Sequence, residues 1–169
     1  MVLISLYYHI QQLTDFSIKI SDYLKPKGPF KIGLNTQILG DNSSALNNAI
    51  FDGKTRSLLV VPYKLESIPI AVNSGIIAHE FFHSIFYDML LEKFNIKMQN
   101  YLKSEESDRS VLFFNQTYIR GLNEGLADYW GWIYSNESDY ISQSLPQFGA
   151  ARKLEIRNVQ AGVYEKGKD

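Results

Sequence analysis

Two of the three histidines in the chain, His79 and His83, stand four positions apart in the segment HEFFH. On a helix, residues at this spacing share one face, with Cβ atoms about 5–6 Å apart. Two neutral imidazoles so placed can bind one metal ion, and zinc suits them together with a carboxylate and an open position for water. Glu80 follows the first histidine, where its carboxylate could take a proton from the water and return it to a leaving amine. The segment therefore predicts one catalytic Zn²⁺ ion with Glu80 as the general base.

Two further carboxylates that could complete this site lie in the segment NEGLAD. Glu124 and Asp128 are four positions apart, so on a helix both can face the same neighbouring element. One of them can bind a metal, while the other accepts the ring N–H of a ligand histidine and fixes its tautomer. Taken alone, the pair is equally typical of a solvated acidic face. Beside His79 and His83, a role in the metal site is favoured.

The order of the two segments, HEFFH at 79–83 and NEGLAD at 123–128, resembles the gluzincins, the thermolysin-like group of zinc peptidases. In that family the Glu of the second motif is the third zinc ligand, and the Asp steadies a ligand histidine. The resemblance implies these roles for Glu124 and Asp128. It also implies an α+β, zincin-like fold, with a small, twisted, mostly antiparallel sheet packed on the active-site helix and a helical part after it.

A third segment, NNAIFDG at 47–53, is similar to the Asn-Ala-aromatic edge strand of thermolysin-like enzymes. In those enzymes the strand pairs with the substrate backbone, and the resemblance implies substrate binding by Asn48 and Ala49. An edge strand can do so because its outer N–H and C=O groups are open to an extended peptide. The alternative is that Asn47 and Asn48 are only the polar residues of a loop.

The chain departs from the thermolysin pattern between its two metal motifs. The stretch from His83 to Glu124 is longer than in thermolysin, which predicts an insertion within residues 92–117. Ligation should be little affected, because the packing of the two helices sets the geometry of the ligands.

A second departure concerns the stabilisation of the oxyanion. Thermolysin-like enzymes use a histidine from a later helical lobe, whereas no histidine follows His83 here. A positioned donor contributes about 3 kcal/mol in such a site, and Tyr118, another tyrosine, Arg152 or Arg157 could supply it. The other interpretation is that the chain is a fragment whose helical lobe lies beyond Asp169.

Hydrophobic patterning predicts the elements around the sheet. Residues 2–24 suit either a helix or a strand followed by a short helix. Alternating apolar positions predict a strand at about 30–38. Asp52-Gly53 separates the apolar runs 47–51 and 57–61, which predicts a hairpin.

The motifs for metal binding fall on predicted helices. Residues 72–91 have a dense apolar stripe at helical spacing, and Asn73 or Ser74 could cap the helix. Apolar residues at three- and four-residue steps predict a second helix over 118–135 and another near 147–158.

Composition narrows the class of protein. The 169 residues are the size of one domain, and 45% hydrophobic with 21% charged residues is typical of a globular protein. A net charge of −1 without a basic block argues against nucleic acid or anionic membranes as partners. With no cysteine, thiolate chemistry and disulfides are excluded. No apolar run reaches the about 20 residues that span a bilayer.

The sequence thus predicts a metallopeptidase catalytic domain over residues 1–169 that acts on a peptide or protein substrate. One alternative is a catalytically incomplete zinc-binding module of the same fold, and another is a scaffold without metal. The first ten residues have neither the basic start nor the cleavage site of a signal peptide. The family resemblance alone favours a secreted or extracytoplasmic location.

Overall fold

A computed structural model of the chain describes residues 2–28, 30–37, 47–63, 68–94 and 111–146, with no side chains described for 111–116. These residues form an α+β structure, as the sequence predicted. Its helices and strands are α1 (Val2–Ile20), β1 (Lys31–Leu34), β2 (Ala49–Asp52), β3 (Ser57–Val60), α2 (Ser74–Phe86) and α3 (Val111–Ser135). The predicted helix near 147–158, most of the predicted insertion and two oxyanion candidates, Arg152 and Arg157, lie outside the described residues.

The three strands form a mixed sheet in the order β1-β3-β2. β2 pairs antiparallel with β3, whereas β1 pairs parallel with β3, so the prediction of a mostly antiparallel sheet is wrong for one of the two pairings. The strands alternate in direction along the chain, and β3 rather than β2 lies next to β1. This order leaves β2 at one edge of the sheet. The hairpin signal could not reveal which of its strands would join β1.

The predicted hairpin is present and is formed by β2 and β3. Gly53 does not have a positive φ; the left-handed residue is Arg56, with a φ of 54°. Gly53 instead meets a steric need, because a Cβ there would overlap the ring of Tyr87 just beyond α2. The glycine therefore allows the hairpin to approach the end of α2 closely.

α2 is the central helix of the described structure, and nearly all of its residues are buried. Asn73 rather than Ser74 caps it, since the Asn73 side chain accepts hydrogen bonds from the N–H groups of Gly75 and Ile76. The predicted helix over 72–91 is confirmed, although the α-helical part ends at Phe86 and continues as a π-helical turn, Tyr87–Glu92.

The sheet and the other helices pack around α2. Phe30, just before β1, lies against Phe81 of α2, with ring centroids 5.3 Å apart. α3 covers the other side, where Trp130 packs on Phe82 at the same centroid distance, 5.3 Å. α1 is one continuous helix followed by a short 3₁₀ turn, and it buries the face that contains Leu6, Ile10, Leu13 and Ser17. This resolves the alternatives left open for residues 2–24 in favour of a helix.

α3 begins before the predicted start at 118 and ends, as predicted, at Ser135. Asn136 follows with a left-handed φ of 58°, and the chain then turns back toward the start of α2. Among the described residues, none of the helices has the length and apolar character needed to cross a membrane.

Candidate metal centre

The two histidines of the HEFFH segment meet on α2. The Nε2 atoms of His79 and His83 lie 3.1 Å apart, and their rings are nearly perpendicular, at 88°. His79 is 6% exposed, so this nitrogen pair lies largely away from solvent. Two imidazole nitrogens this close need either a proton between them or a shared cation.

Two carboxylates lie near the same nitrogen atoms. Glu124 of α3 places Oε2 3.6 Å from His79 Nε2 and Oε1 3.9 Å from His83 Nε2. Glu80 of α2 places Oε1 3.9 Å from His79 Nε2. Among the residues that the structure describes, His79, Glu80 and His83 form a group whose ligand atoms all lie within 4.8 Å of one another, close enough to hold a metal ion. The centre thus has two imidazoles and two competing carboxylates.

Glu80 also connects α2 to the sheet. Its Oε2 accepts a hydrogen bond of 2.9 Å from the N–H of Phe51 in β2. Burial raises the pKa of Glu80 above its ordinary value of 4.5, although the neighbouring imidazoles His79 and His83 act in the opposite direction. The carboxyl group therefore has a higher proton affinity than an exposed glutamate.

The outer edge of β2 faces this site. Because the N–H of Phe51 points to Glu80, it points away from β3, and in an antiparallel strand Ala49 points to the same side. The N–H of Ala49 donates to the side-chain oxygen of Asn48 at 2.9 Å, while the Asn48 carbonyl accepts from Val61. Ala49 is thus the first residue of this edge strand and Asn48 directly precedes it, while the contact with Glu80 is made by Phe51, two positions after Ala49.

The second nitrogen of each histidine ring faces an oxygen on α3. Nδ1 of His79 lies 2.9 Å from Asp128 Oδ1, although the carboxylate lies off the direction of the ring N–H, so the contact is closer to an ion pair than to a straight hydrogen bond. Nδ1 of His83 lies 3.0 Å from Asn123 Oδ1. Oxygen acceptors at Nδ1 favour a proton there, which leaves the lone pair of Nε2 for a metal.

Asn123 was not singled out in the sequence. The sequence feature that could have indicated it is its place directly before Glu124. In the structure its side chain faces His83, whereas Asp128 faces His79. Asn123 is 8% exposed. A buried amide beside a predicted ligand is a reason to expect such a contact.

Carboxylates dominate the charge around His79. Burial lowers the pKa of this ring, but contacts with Asp128, Glu124 and Glu80 outweigh that effect and raise the pKa to about 9. Three acidic groups therefore surround one imidazole. Such a surplus of negative charge favours a bound cation.

Tyr118, the oxyanion candidate on α3, is 67% exposed. It stands six residues before Glu124, a rotation of about 600° around the helix, so the two side chains leave α3 on different faces. Tyr118 lines an apolar surface cavity with Thr117, Gly121 and Leu122. Its role in oxyanion stabilisation stays a prediction.

Comparisons with models of protein families, with curated proteins and with solved structures found no match. The resemblance to gluzincins therefore stays a prediction, and the geometry of this centre is the basis for inferring a function. A function can be inferred from three features, namely the two imidazoles, the carboxylates on α2 and α3, and the adjacent strand edge.

Proposed function

We propose that the protein is a zinc-dependent peptidase of the gluzincin type, in which His79, His83 and Glu124 bind the metal and Glu80 is the general base. The observation that carries this proposal is the convergence of the two Nε2 atoms, 3.1 Å apart, with the carboxylate of Glu124 at 3.6 and 3.9 Å. Zinc sites that catalyse hydrolysis combine three protein ligands of these types with one open position.

The separations of the donor atoms fit a tetrahedral ion. Zinc lies about 2.0–2.1 Å from imidazole nitrogen and about 2.0–2.2 Å from a carboxylate oxygen, so neighbouring ligand atoms are about 3.3 Å apart. The two nitrogens are slightly closer than this, and Glu124 is slightly farther. Small side-chain rotations would close the difference. Nitrogen and oxygen donors suit zinc, and the chain has no cysteine to form a thiolate site.

Glu124 is the better candidate for the third ligand than Glu80. Its two oxygens approach the Nε2 atoms of both histidines, and it comes from the opposite helix. Glu80 has one oxygen engaged by the N–H of Phe51, which holds the carboxylate toward the strand edge. The other oxygen, Oε1, remains on the side of the centre. This division leaves Glu80 for proton transfer.

The reaction that we propose is hydrolysis of a peptide bond by water. Bound zinc supplies a Lewis acid for the substrate carbonyl and lowers the pKa of water. Glu80 accepts a proton from the attacking water and delivers it to the departing amine. Because burial raises its pKa, Glu80 holds that proton more readily than an exposed glutamate does. Asp128 and Asn123 keep the two rings oriented during this exchange.

The substrate class that we propose is an extended peptide. It would lie along the outer edge of β2, where the backbone of Ala49 and the side chain of Asn48 face the site. The outward N–H groups of Ala49 and Phe51 are bonded to Asn48 and Glu80, so a peptide would pair with the outward carbonyls of the strand or displace these side chains. Such main-chain pairing accepts many sequences, because it depends on the peptide backbone. The scissile carbonyl would then lie beside Glu80.

A zinc-binding module without turnover is the second candidate. It is favoured by residues 84–169, none of which is a histidine that could act as the oxyanion donor used by thermolysin-like enzymes. Without such a donor, a loss of about 10²–10³ in kcat is expected.

The test compares wild type with Glu80→Gln, which keeps the shape of the side chain and an oxygen for the N–H of Phe51. We expect both proteins to bind one zinc ion per chain, and only wild type to hydrolyse a quenched peptide or casein. Equal hydrolysis by both proteins would show that the assigned base is wrong. Zinc binding by both without hydrolysis by either would favour the module.

A further inference from the structure

Tyr140, in the turn after α3, fills a slot between the two helices of the metal centre. The side chain is 2% exposed. A Cβ at Gly75 of α2 or at Gly131 of α3 would overlap its ring. Both helices thus lack a side chain where this ring lies, which fixes the ring between them.

The hydroxyl of Tyr140 reaches the carboxylate that contacts His79. Its oxygen is 3.2 Å from Asp128 Oδ1 and 3.4 Å from the Asp128 carbonyl oxygen. The same Oδ1 lies 2.9 Å from Nδ1 of His79. One oxygen of Asp128 is therefore held between a hydroxyl and an imidazole.

The turn that bears Tyr140 is itself anchored to the start of α2. The side-chain amide of Asn73 donates to the Tyr140 carbonyl at 2.7 Å and to Ser144 Oγ at 2.9 Å. Its oxygen accepts from Gly75 and Ile76 at 3.1 Å each, so the cap uses its whole hydrogen-bonding capacity. His79 lies one turn further along the same helix. The cap residue Asn73 thus holds the backbone of Tyr140 in place, and the Tyr140 hydroxyl in turn holds the carboxylate of Asp128.

We propose that Tyr140 is a positioning residue for the metal ligand His79 and acts through Asp128; this inference depends on the proposed zinc site. An aspartate can rotate about two side-chain bonds, and here it shares the ring of His79 with the carboxylates of Glu124 and Glu80. The Tyr140 hydroxyl holds Oδ1 at the ring, which keeps the proton of His79 on Nδ1 and its lone pair on Nε2.

The expected effect on zinc affinity is modest, because Tyr140 contacts the ligand His79 only through Asp128. Loss of a group that directly orients a ligand lowers metal affinity by about 10- to 100-fold. Tyr140 acts one step further away, so removal of its hydroxyl should raise the zinc dissociation constant by about tenfold, the lower end of that range.

The test uses Tyr140→Phe, which keeps the ring in its slot and removes only the oxygen atom. Tyr134→Phe is the matched control, because Tyr134 donates or accepts at His9 Nδ1, 3.2 Å away, in another part of the molecule. Zinc affinity of each apo protein is measured by competition with a chromophoric chelator, and circular dichroism checks folding. We expect weaker binding for Tyr140→Phe and wild-type affinity for Tyr134→Phe.

Combining Tyr140→Phe with Asp128→Ala distinguishes a positioning role through Asp128 from a role in packing alone. If Tyr140 acts through Asp128, the second substitution should make the first nearly silent, whereas independent structural losses would add. Wild-type affinity in Tyr140→Phe, equal losses in both tyrosine variants, or additive losses in the double variant would each overturn the inference while the zinc site stands. Failure of wild type itself to bind zinc would overturn the proposed function and this inference together.

Discussion

The two sides of α2 that meet at the candidate metal centre are built from different kinds of contact. On the helix side, toward α3, side chain meets side chain: His79 faces Asp128 and His83 faces Asn123. On the strand side, toward β2, the contact is between the Glu80 carboxylate and a backbone N–H of the strand. The helix side therefore depends on residue types at helical spacing, whereas the strand side depends on how the hairpin is held.

An ion pair holds that hairpin. Asp88, in the π-helical turn after α2, is 8% exposed and accepts from Arg56 Nη1 at 2.5 Å and Nη2 at 2.9 Å. Its Oδ2 also accepts the N–H of Lys27 at 2.9 Å, and Arg56 donates to the Lys27 carbonyl. The end of the hairpin is thus fixed to the end of α2. Every charge in this cluster has a partner of opposite sign.

The helix side is not balanced in this way. The two carboxylates of α3, Asp128 and Glu124, face His79 there and, together with Glu80 of the strand side, raise its pKa to about 9. A cation would neutralise this side, while the strand side needs none. Loss of metal should therefore change the helix side first, and loss of the ion pair should change the strand side without removing the metal.

His83→Ala should have the largest effect on the helix side, where it should weaken zinc binding. It removes one of two imidazole ligands, and zinc in small protein sites contributes about 10–16 kcal/mol through all its ligands together, so the loss of one should weaken binding by at least about 100-fold. Chelator competition measures the affinity. Unaltered affinity would place the metal elsewhere. Peptide hydrolysis should fall with zinc content, and the unfolding midpoint of the apo protein serves as the control for folding.

Asp88→Asn should destabilise the strand side, because it removes the ion pair that holds the hairpin. It leaves the Arg56 guanidinium, whose side chain is 27% exposed, without its counter-charge. Removing one partner of a buried pair costs about 3–5 kcal/mol, and the partial exposure of Arg56 favours the lower end, about 3 kcal/mol. Urea unfolding measures the loss, while zinc affinity should stay near that of wild type.

The matched control for Asp88→Asn is Glu92→Gln, which removes the exposed partner of Lys27 in a pair 2.7 Å apart. Solvent and salt screen an exposed pair, so this variant should unfold almost as wild type does. If Asp88→Asn lost no more stability than Glu92→Gln, the ion pair would not be what holds the hairpin. A large loss of zinc affinity in Asp88→Asn would show that the two sides are coupled.

A smaller, graded effect should appear in the pH dependence of zinc binding. With its pKa raised to about 9, the ring of His79 is protonated in the apo protein at pH 7 and must lose that proton to bind a metal. Binding should release about one proton from this ring, and affinity should fall about tenfold for each pH unit below 9. Calorimetry in buffers of different ionisation enthalpy counts the protons. Binding at pH 7 without proton release would contradict the balance of charges described for the helix side.

Sequence periodicity revealed the helix side because its residues recur at helical spacing. The four-residue steps from His79 to His83 and from Glu124 to Asp128 place each pair on one face, and the structure brings the four side chains together. The chemistry of Asn73 and Ser74 predicted a cap at one of these two positions, and the structure has it at Asn73. The hairpin could likewise be predicted from Asp52-Gly53 between two apolar runs.

Contacts between residues far apart in the chain left no periodic signal. Arg56 and Asp88 belong to different elements, and nothing in either segment indicates that they pair. Tyr140 resembles any buried aromatic residue until Gly75 and Gly131 are seen on both sides of its ring. The parallel pairing of β1 with β3 also depends on the order of strands in space, which hydrophobic alternation does not determine.

The most direct test of the central claim is anomalous diffraction at the zinc absorption edge from crystals of the zinc-loaded protein. One peak is predicted per chain, about 2.0–2.1 Å from Nε2 of His79 and of His83 and about 2.0–2.2 Å from an oxygen of Glu124. In that structure, Glu80 should lie outside the ligand set, with one oxygen still bonded to the N–H of Phe51. A peak coordinated by Glu80 in place of Glu124, or no peak between the two histidines, would contradict the account.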